Sequence, residues 1–74
     1  MKAYDDFRQE VIQKYHADYG CGQDMSLEEI GHEFDLTIGK SGYDDMVRVE
    51  KIYDKRGEAF DPVKSATEKM DALI

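Results

Sequence analysis

The stretch MSLEEIG, residues 25–31, concentrates several signals for the start of a helix. Ser26 is a favourable N-cap, and Glu29, three positions later, completes a capping box in which side chains and backbone amides satisfy each other. Met25 and Ile30 occupy the two positions of a hydrophobic staple, which fixes the angle at which the chain enters a helix. The pattern therefore predicts a helix that begins directly after Ser26.

Apolar residues with helical spacing predict two more helices, one on each side of this stretch. The three apolar stripes are Tyr4, Phe7, Val11 and Tyr15 in residues 3–18; Leu27, Ile30 and Phe34 after the cap; and Val63, Ala66, Met70 and Leu73 near the end of the sequence. Gly20 is expected to end the first helix as a left-handed cap. Asp61 and Pro62 suit the cap and the first position of the last helix.

Residues 34–60 are compatible with two structures. As a helix, this segment would be capped by Ser41, carry Asp44 and Asp45 in its first turn, and stop at residues 55–57, Lys-Arg-Gly. As an antiparallel hairpin, it would use the alternating residues 34–38 and a turn at 54–57. We favour the helix because its start and stop signals agree. The expected fold is a mostly α single domain, residues 1–74, with three to four helices; the alternative is α+β, with a hairpin within 34–60.

The formal net charge of −7 is unevenly distributed along the sequence. Residues 1–35 contain nine acidic and three basic residues, a balance of −6, whereas residues 36–74 contain eight acidic and seven basic residues, a balance of −1. A concentrated negative surface repels phosphate backbones and attracts basic protein patches. The charge pattern thus favours a protein partner over nucleic acid.

Several classes of function lack the residues that they need. Cys21 is the single cysteine, so no internal disulfide can form. We expect no metal, because zinc sites commonly need four ligands in paired short spacings. No nucleophile has an evident base, so neither an enzyme nor a cofactor is expected. No apolar run approaches the ~20 residues of a membrane span, and the first ten residues lack the apolar segment of a secretory signal. We therefore expect a cytoplasmic, non-enzymatic protein.

Residues 7–37 resemble the helix-turn-helix of region 4 of bacterial sigma factors. The resemblance rests on Glu10, Val11 and Ile12, where the family has an E-x-V-I helix, and on Ser26–Gly31, where it has a T-L-E-E-I-G helix. The resemblance implies that a DNA-reading helix follows the second of these helices in the sequence. Asp35 stands where the turn glycine belongs, so this helix fits the register only after a turn about four residues longer, opening at Tyr43.

In size and charge, the chain also resembles small acidic inhibitors encoded by bacteriophages. The predicted function is docking on a basic surface of another protein, one that can also hold nucleic acid. The predicted acidic face consists of Asp24, Glu28, Glu29, Tyr43, Asp44 and Asp45. The alternative is a helix-turn-helix regulator whose DNA contacts are Arg48, Lys51, Lys55 and Arg56. A homodimer that completes its core is the third hypothesis.

Overall fold

The computed structural model describes residues 2–19 and 25–72, which form four helices. They are α1 (Tyr4–Tyr19), α2 (Leu27–Thr37), α3 (Gly39–Lys55) and α4 (Pro62–Ala72). The described residues contain no strand, so the mostly α prediction is confirmed and the hairpin alternative within 34–60 is wrong. Gly20 and Leu73, which the sequence places at a helix cap and on an apolar stripe, lie outside the described residues.

The core forms around α1, which packs against both α2 and α4, while α3 packs against α2. The buried apolar residues are Phe7, Val11, Ile12, Tyr15, Ile30, Phe34, Ile38, Met46, Ala66 and Met70. Most members of the predicted stripes are in this set, as expected for helices that bury one face. Leu27 is an exception, because 42% of its surface is exposed.

The predicted N-caps of α2 and α4 are both formed. The Ser26 hydroxyl accepts a hydrogen bond from the Glu29 amide at 3.2 Å. The Asp61 carboxylate accepts one from the Lys64 amide at 3.1 Å, directly before Pro62. Each side chain satisfies an amide that the first turn of a helix would otherwise leave without a partner.

The end of α3 also follows the sequence signals. Gly57 has a φ of 71°, the left-handed conformation that glycine adopts without a side-chain penalty. Its amide donates to the Asp54 carbonyl at 3.1 Å, and the Glu58 amide donates to the Tyr53 carbonyl at 2.9 Å. These two bonds form a Schellman motif, which satisfies carbonyls at the end of a helix.

The start of α3 differs from the prediction. Ser41 is not its cap, because the helix begins at Gly39 and Ile38 alone separates it from α2. The Ile38 amide donates to the Phe34 carbonyl at 2.8 Å, and the Ile38 carbonyl accepts from the Gly42 amide at 2.9 Å. Backbone bonds on both sides of a buried isoleucine thus replace a side-chain cap.

This early start also changes the positions of Asp44 and Asp45. Neither lies in the first turn of α3, which carries no acidic residue. The longer turn that the sigma-factor register needs is absent between α2 and α3, and Tyr43 lies inside α3 and does not open it.

Contacts between helices establish their relative directions. Arg8, early in α1, binds Asp35, late in α2. Leu27, at the start of α2, lines the same groove as Gln13, further along α1. The two helices are therefore antiparallel. None of the helices in the described residues is both long and apolar enough to span a bilayer.

Helix α4 runs in the direction of α1. Val63, at its start, lies near Phe7, and the charge of Asp71, near its end, acts on Tyr15. Met46 is the one fully buried residue of α3, so this helix contributes less to the core than α1 does. The molecule measures 41 × 20 × 20 Å.

Candidate protein-docking surface

Five ion pairs join described residues, and four of them are local or involve the start of the chain. They are Lys2–Glu10 at 2.6 Å, Arg8–Asp35 at 3.0 Å, Lys14–Asp18 at 3.1 Å, Lys40–Asp44 at 3.7 Å and Arg48–Asp45 at 3.0 Å. Exposed carboxylates with no ion-pair partner among the described residues are the ones most available to an external cation, because forming a new pair breaks no existing one.

Glu28 and Glu29 are two such carboxylates. Both are exposed in the first turn of α2, and neither has an ion-pair partner among the described residues. Their position at a helix N-terminus is electrostatically favourable for negative charge. The helix thereby holds two adjacent carboxylates in water without neutralising them.

Two further carboxylates lie toward the same end of the bundle. Burial raises the pKa of the Tyr15 hydroxyl, and the negative charges of Asp71 and Glu33 raise it further. Since Asp71 belongs to α4 and Glu33 to α2, side chains from both helices converge on the C-terminal half of α1. We call Glu28, Glu29, Glu33 and Asp71 the acidic end.

The structure divides the acidic face that the sequence predicts. Glu28 and Glu29 are at the acidic end, whereas Asp44 and Asp45 lie on α3 and pair with Lys40 and Arg48. Helix α3 starts where α2 finishes, at the opposite end of the bundle from the first turn of α2. The predicted acidic face has two further members, Asp24 and Tyr43. Asp24 lies outside the described residues.

Tyr43 contributes both its ring and its hydroxyl to the fold. Its ring lies 5.4 Å from that of Tyr4 and 5.5 Å from that of Phe7, and its hydroxyl donates to the Lys2 carbonyl at 2.5 Å. The Lys40 ammonium sits 4.6 Å from the ring centre. Tyr43 thus fastens the start of the chain to α3, and it does not lie with Glu28 and Glu29.

The cations of the alternative DNA-binding set are all exposed in the second half of α3 and just after it. Arg48 pairs with Asp45, three positions earlier on the same helix. Lys51, Lys55 and Arg56 have no ion-pair partner among the described residues. They therefore form a small basic tip, remote from the acidic end.

A groove between α1 and α2 was not predicted from the sequence. It measures about 340 Å³ and is lined by Arg8, Gln9, Ile12, Gln13, Leu27, Glu28, Gly31, His32 and Asp35. The exposed Leu27 lies here, in the same groove as the polar α1 residues Gln9 and Gln13. Gly31 is the sequence signal that marks the groove, since it is a small residue on the buried face of α2.

Gly31 also makes room for an ion pair at one end of the groove. A Cβ at this position would lie 2.9 Å from Nη2 of Arg8, so the end of the flexible Arg8 side chain would have to shift. Arg8 donates two hydrogen bonds of 3.0 Å to Asp35, and a longer one of 3.4 Å to the Gly31 carbonyl. These bonds hold the pKa of the Asp35 carboxyl below its usual range, with the charges of Arg8 and His32 adding to the effect.

The chain matches no protein-family model, no curated protein and no solved structure at a significant level. Within residues 2–19 and 25–72, no three side chains of His, Cys, Asp or Glu gather closely enough to hold a metal ion. The surface features of these residues are therefore the basis for assigning a function.

Proposed function

We propose that this protein acts without catalysis, by docking its acidic end on a basic surface of another protein. It would serve as an inhibitor or regulator, of the kind that phages and mobile elements encode. The target that we propose is a basic surface that otherwise binds nucleic acid. Such a surface carries cations that bind phosphates, and a cluster of carboxylates can bind the same cations in place of the phosphates.

The observation that carries this proposal is the state of Glu28 and Glu29. They are adjacent, exposed and without an ion-pair partner among the described residues. Ion pairs within the chain neutralise Asp18, Asp35, Asp44 and Asp45 instead. Unpaired charges of one sign steer a complementary surface into contact and raise the rate of association.

The test compares two variants that each remove two negative charges. Glu28→Gln with Glu29→Gln alters the acidic end, and Asp54→Asn with Glu58→Gln alters exposed carboxylates near the basic tip. Wild-type and variant proteins are immobilised and exposed to a host lysate. Any protein that the wild type retains is purified, and its association kinetics are measured at two salt concentrations.

We expect the acidic-end variant to slow association by about tenfold at low salt, and much less at high salt, where the charges are screened. The control variant should change the rate far less, although its net charge is the same. Equal rates for the two variants would contradict the proposal, as would the absence of any retained protein whose binding depends on Glu28 and Glu29.

A second candidate function is DNA binding through α3. It is supported by Lys51, Lys55 and Arg56 of the basic tip, which have no ion-pair partner in residues 2–19 and 25–72, because cations can contact phosphates. Two observations count against it. Helix α3 begins at Gly39, without the lengthened turn that the sigma-factor register needs between α2 and α3. The net charge of −7 also opposes approach to DNA. We therefore place it second.

A further inference from the structure

The groove between α1 and α2 has a defined shape. Gly31 forms part of its lining without a side chain, and the Arg8–Asp35 pair closes one end. The volume of about 340 Å³ is near the lower end of the roughly 300–1,000 Å³ typical of ligand pockets. A groove of this volume suits one long side chain better than a large ligand.

The lining combines apolar and acceptor groups. Ile12 is buried and Leu27 is half exposed, so an occupant that covers Leu27 removes apolar surface from water. Gln9 and Gln13 provide amide oxygens, which accept hydrogen bonds. The site thus offers an apolar wall and polar acceptors in a single space.

The charge of the groove favours a cation. Arg8 is the one basic residue of the lining that is always charged, and Asp35 neutralises it through two hydrogen bonds. Glu28 also lines the groove and has no ion-pair partner among the described residues. One uncompensated negative charge therefore remains.

We propose that the groove receives an arginine side chain from the basic protein partner. The arginine stem would lie along Leu27 and Ile12, and its guanidinium would donate to Glu28 and to the glutamine amides. Arginine fits better than lysine because its planar group carries five donors in a fork that matches carboxylate and amide oxygens, whereas lysine is a compact and strongly hydrated charge. This inference rests on the proposed function and makes the groove its anchor.

Two peptides of equal charge test the inference: acetyl-(Arg-Gly)₃-amide and acetyl-(Lys-Gly)₃-amide. Each is titrated into isotopically labelled protein, and amide signals are followed by nuclear magnetic resonance. We expect the arginine peptide to bind about tenfold more tightly, the gain expected from charge-assisted hydrogen bonds that lysine does not make. The amide signals of Leu27, Gly31 and His32 should shift the most.

Adjacent residues supply a matched pair of variants. Glu28 lines the groove and Glu29 does not, although both are exposed in the same turn. Glu28→Gln should abolish the preference for arginine over lysine. Glu29→Gln should weaken both peptides equally and leave the preference intact, since it removes the same charge from outside the groove.

Equal binding of the two peptides to the wild type would overturn the inference, as would signals of Leu27 and Gly31 that do not move. An equal loss of arginine preference in both variants would also overturn it. These results are separable from a failure of the proposed function. A partner whose association still slows when Glu28 and Glu29 are both neutralised would support docking at the acidic end without an arginine anchor.

Discussion

Arg8 and Asp35 lie 27 positions apart in the sequence, and their side chains meet through two parallel hydrogen bonds of 3.0 Å. This fork joins α1 to α2 and closes one end of the groove. Its geometry is the bidentate arrangement in which arginine binds a carboxylate most strongly. The absence of a side chain at Gly31 leaves room beside the guanidinium, because a Cβ there would lie 2.9 Å from Nη2 of Arg8.

A double-mutant cycle with Arg8→Ala and Asp35→Asn should give a coupling free energy of about 0.5–1 kcal/mol at pH 7. The value is modest because 27% of the Arg8 side chain and 50% of the Asp35 side chain are exposed to water. Urea denaturation of the four proteins measures it. A coupling of zero at pH 7 would show that the fork does not stabilise the fold.

The same cycle should depend on pH in one direction. The folded-state pKa of Asp35 lies below its unfolded value, so its contribution is fully present above roughly pH 4 and is lost as the pH falls through the folded-state pKa. Repeating the cycle in strong acid should therefore abolish the coupling. A coupling that persists there would mean that packing, and not charge, links the two residues.

Tyr15 should make the fold sensitive to alkaline pH. It is 2% exposed, and burial, followed by the charges of Asp71, Glu33 and Tyr19, raises the pKa of its hydroxyl. Because the folded-state pKa exceeds the unfolded one, this stabilisation is complete below about pH 10 and is lost as the pH rises further. The free energy of unfolding should fall more steeply above pH 10 in the wild type than in Tyr15→Phe. Urea denaturation of both proteins from pH 8 to 11 measures this difference. The prediction is refuted if the free energy of unfolding falls equally steeply with pH in the wild type and in Tyr15→Phe.

The cap of α2 gives a prediction with an internal control. Ser26→Ala should lower the free energy of unfolding by about 0.5–2 kcal/mol, because the Glu29 amide loses its partner. Ser26→Asp should stay within a few tenths of a kcal/mol of the wild type, since aspartate caps about as well as serine. Denaturant midpoints measure both. Equal losses in the two variants would show that the hydroxyl acts by something other than capping.

Local signals explain which elements could be predicted from the sequence. The caps at Ser26 and Asp61 and the stop at Gly57 each depend on residues within a few positions, and all three are present. The start of α3 is different, because the buried side chain of Ile38, 7% exposed, draws the chain into the core three residues before the expected cap, Ser41. Tertiary burial there outweighs a local signal.

The surface was less predictable than the fold, for a related reason. A run of acidic residues says that a surface is negative, but pairing decides which carboxylates stay available. Asp44 and Asp45 find cations on their own helix, while Glu28 and Glu29 do not. The groove beside Glu28 depends on two helices meeting at Gly31, a relationship that no single segment encodes.

Duplex DNA separates the two candidate functions. We expect the wild type to leave a mixed-sequence duplex unshifted in electrophoretic mobility assays at about 50 mM salt, where electrostatic binding is strongest. The reason is that the net charge of −7 repels phosphates, whereas the basic tip offers only three exposed cations, Lys51, Lys55 and Arg56. Lys51→Ala with Lys55→Ala should then change nothing, and neither should the matched pair Lys64→Ala with Lys69→Ala on α4. The opposite result would be a salt-dependent mobility shift that Lys51→Ala with Lys55→Ala abolishes and that the α4 double variant leaves intact. Because phosphate contacts release counterions, that shift would weaken steeply with added salt, and it would move DNA binding by α3 ahead of docking through the acidic end.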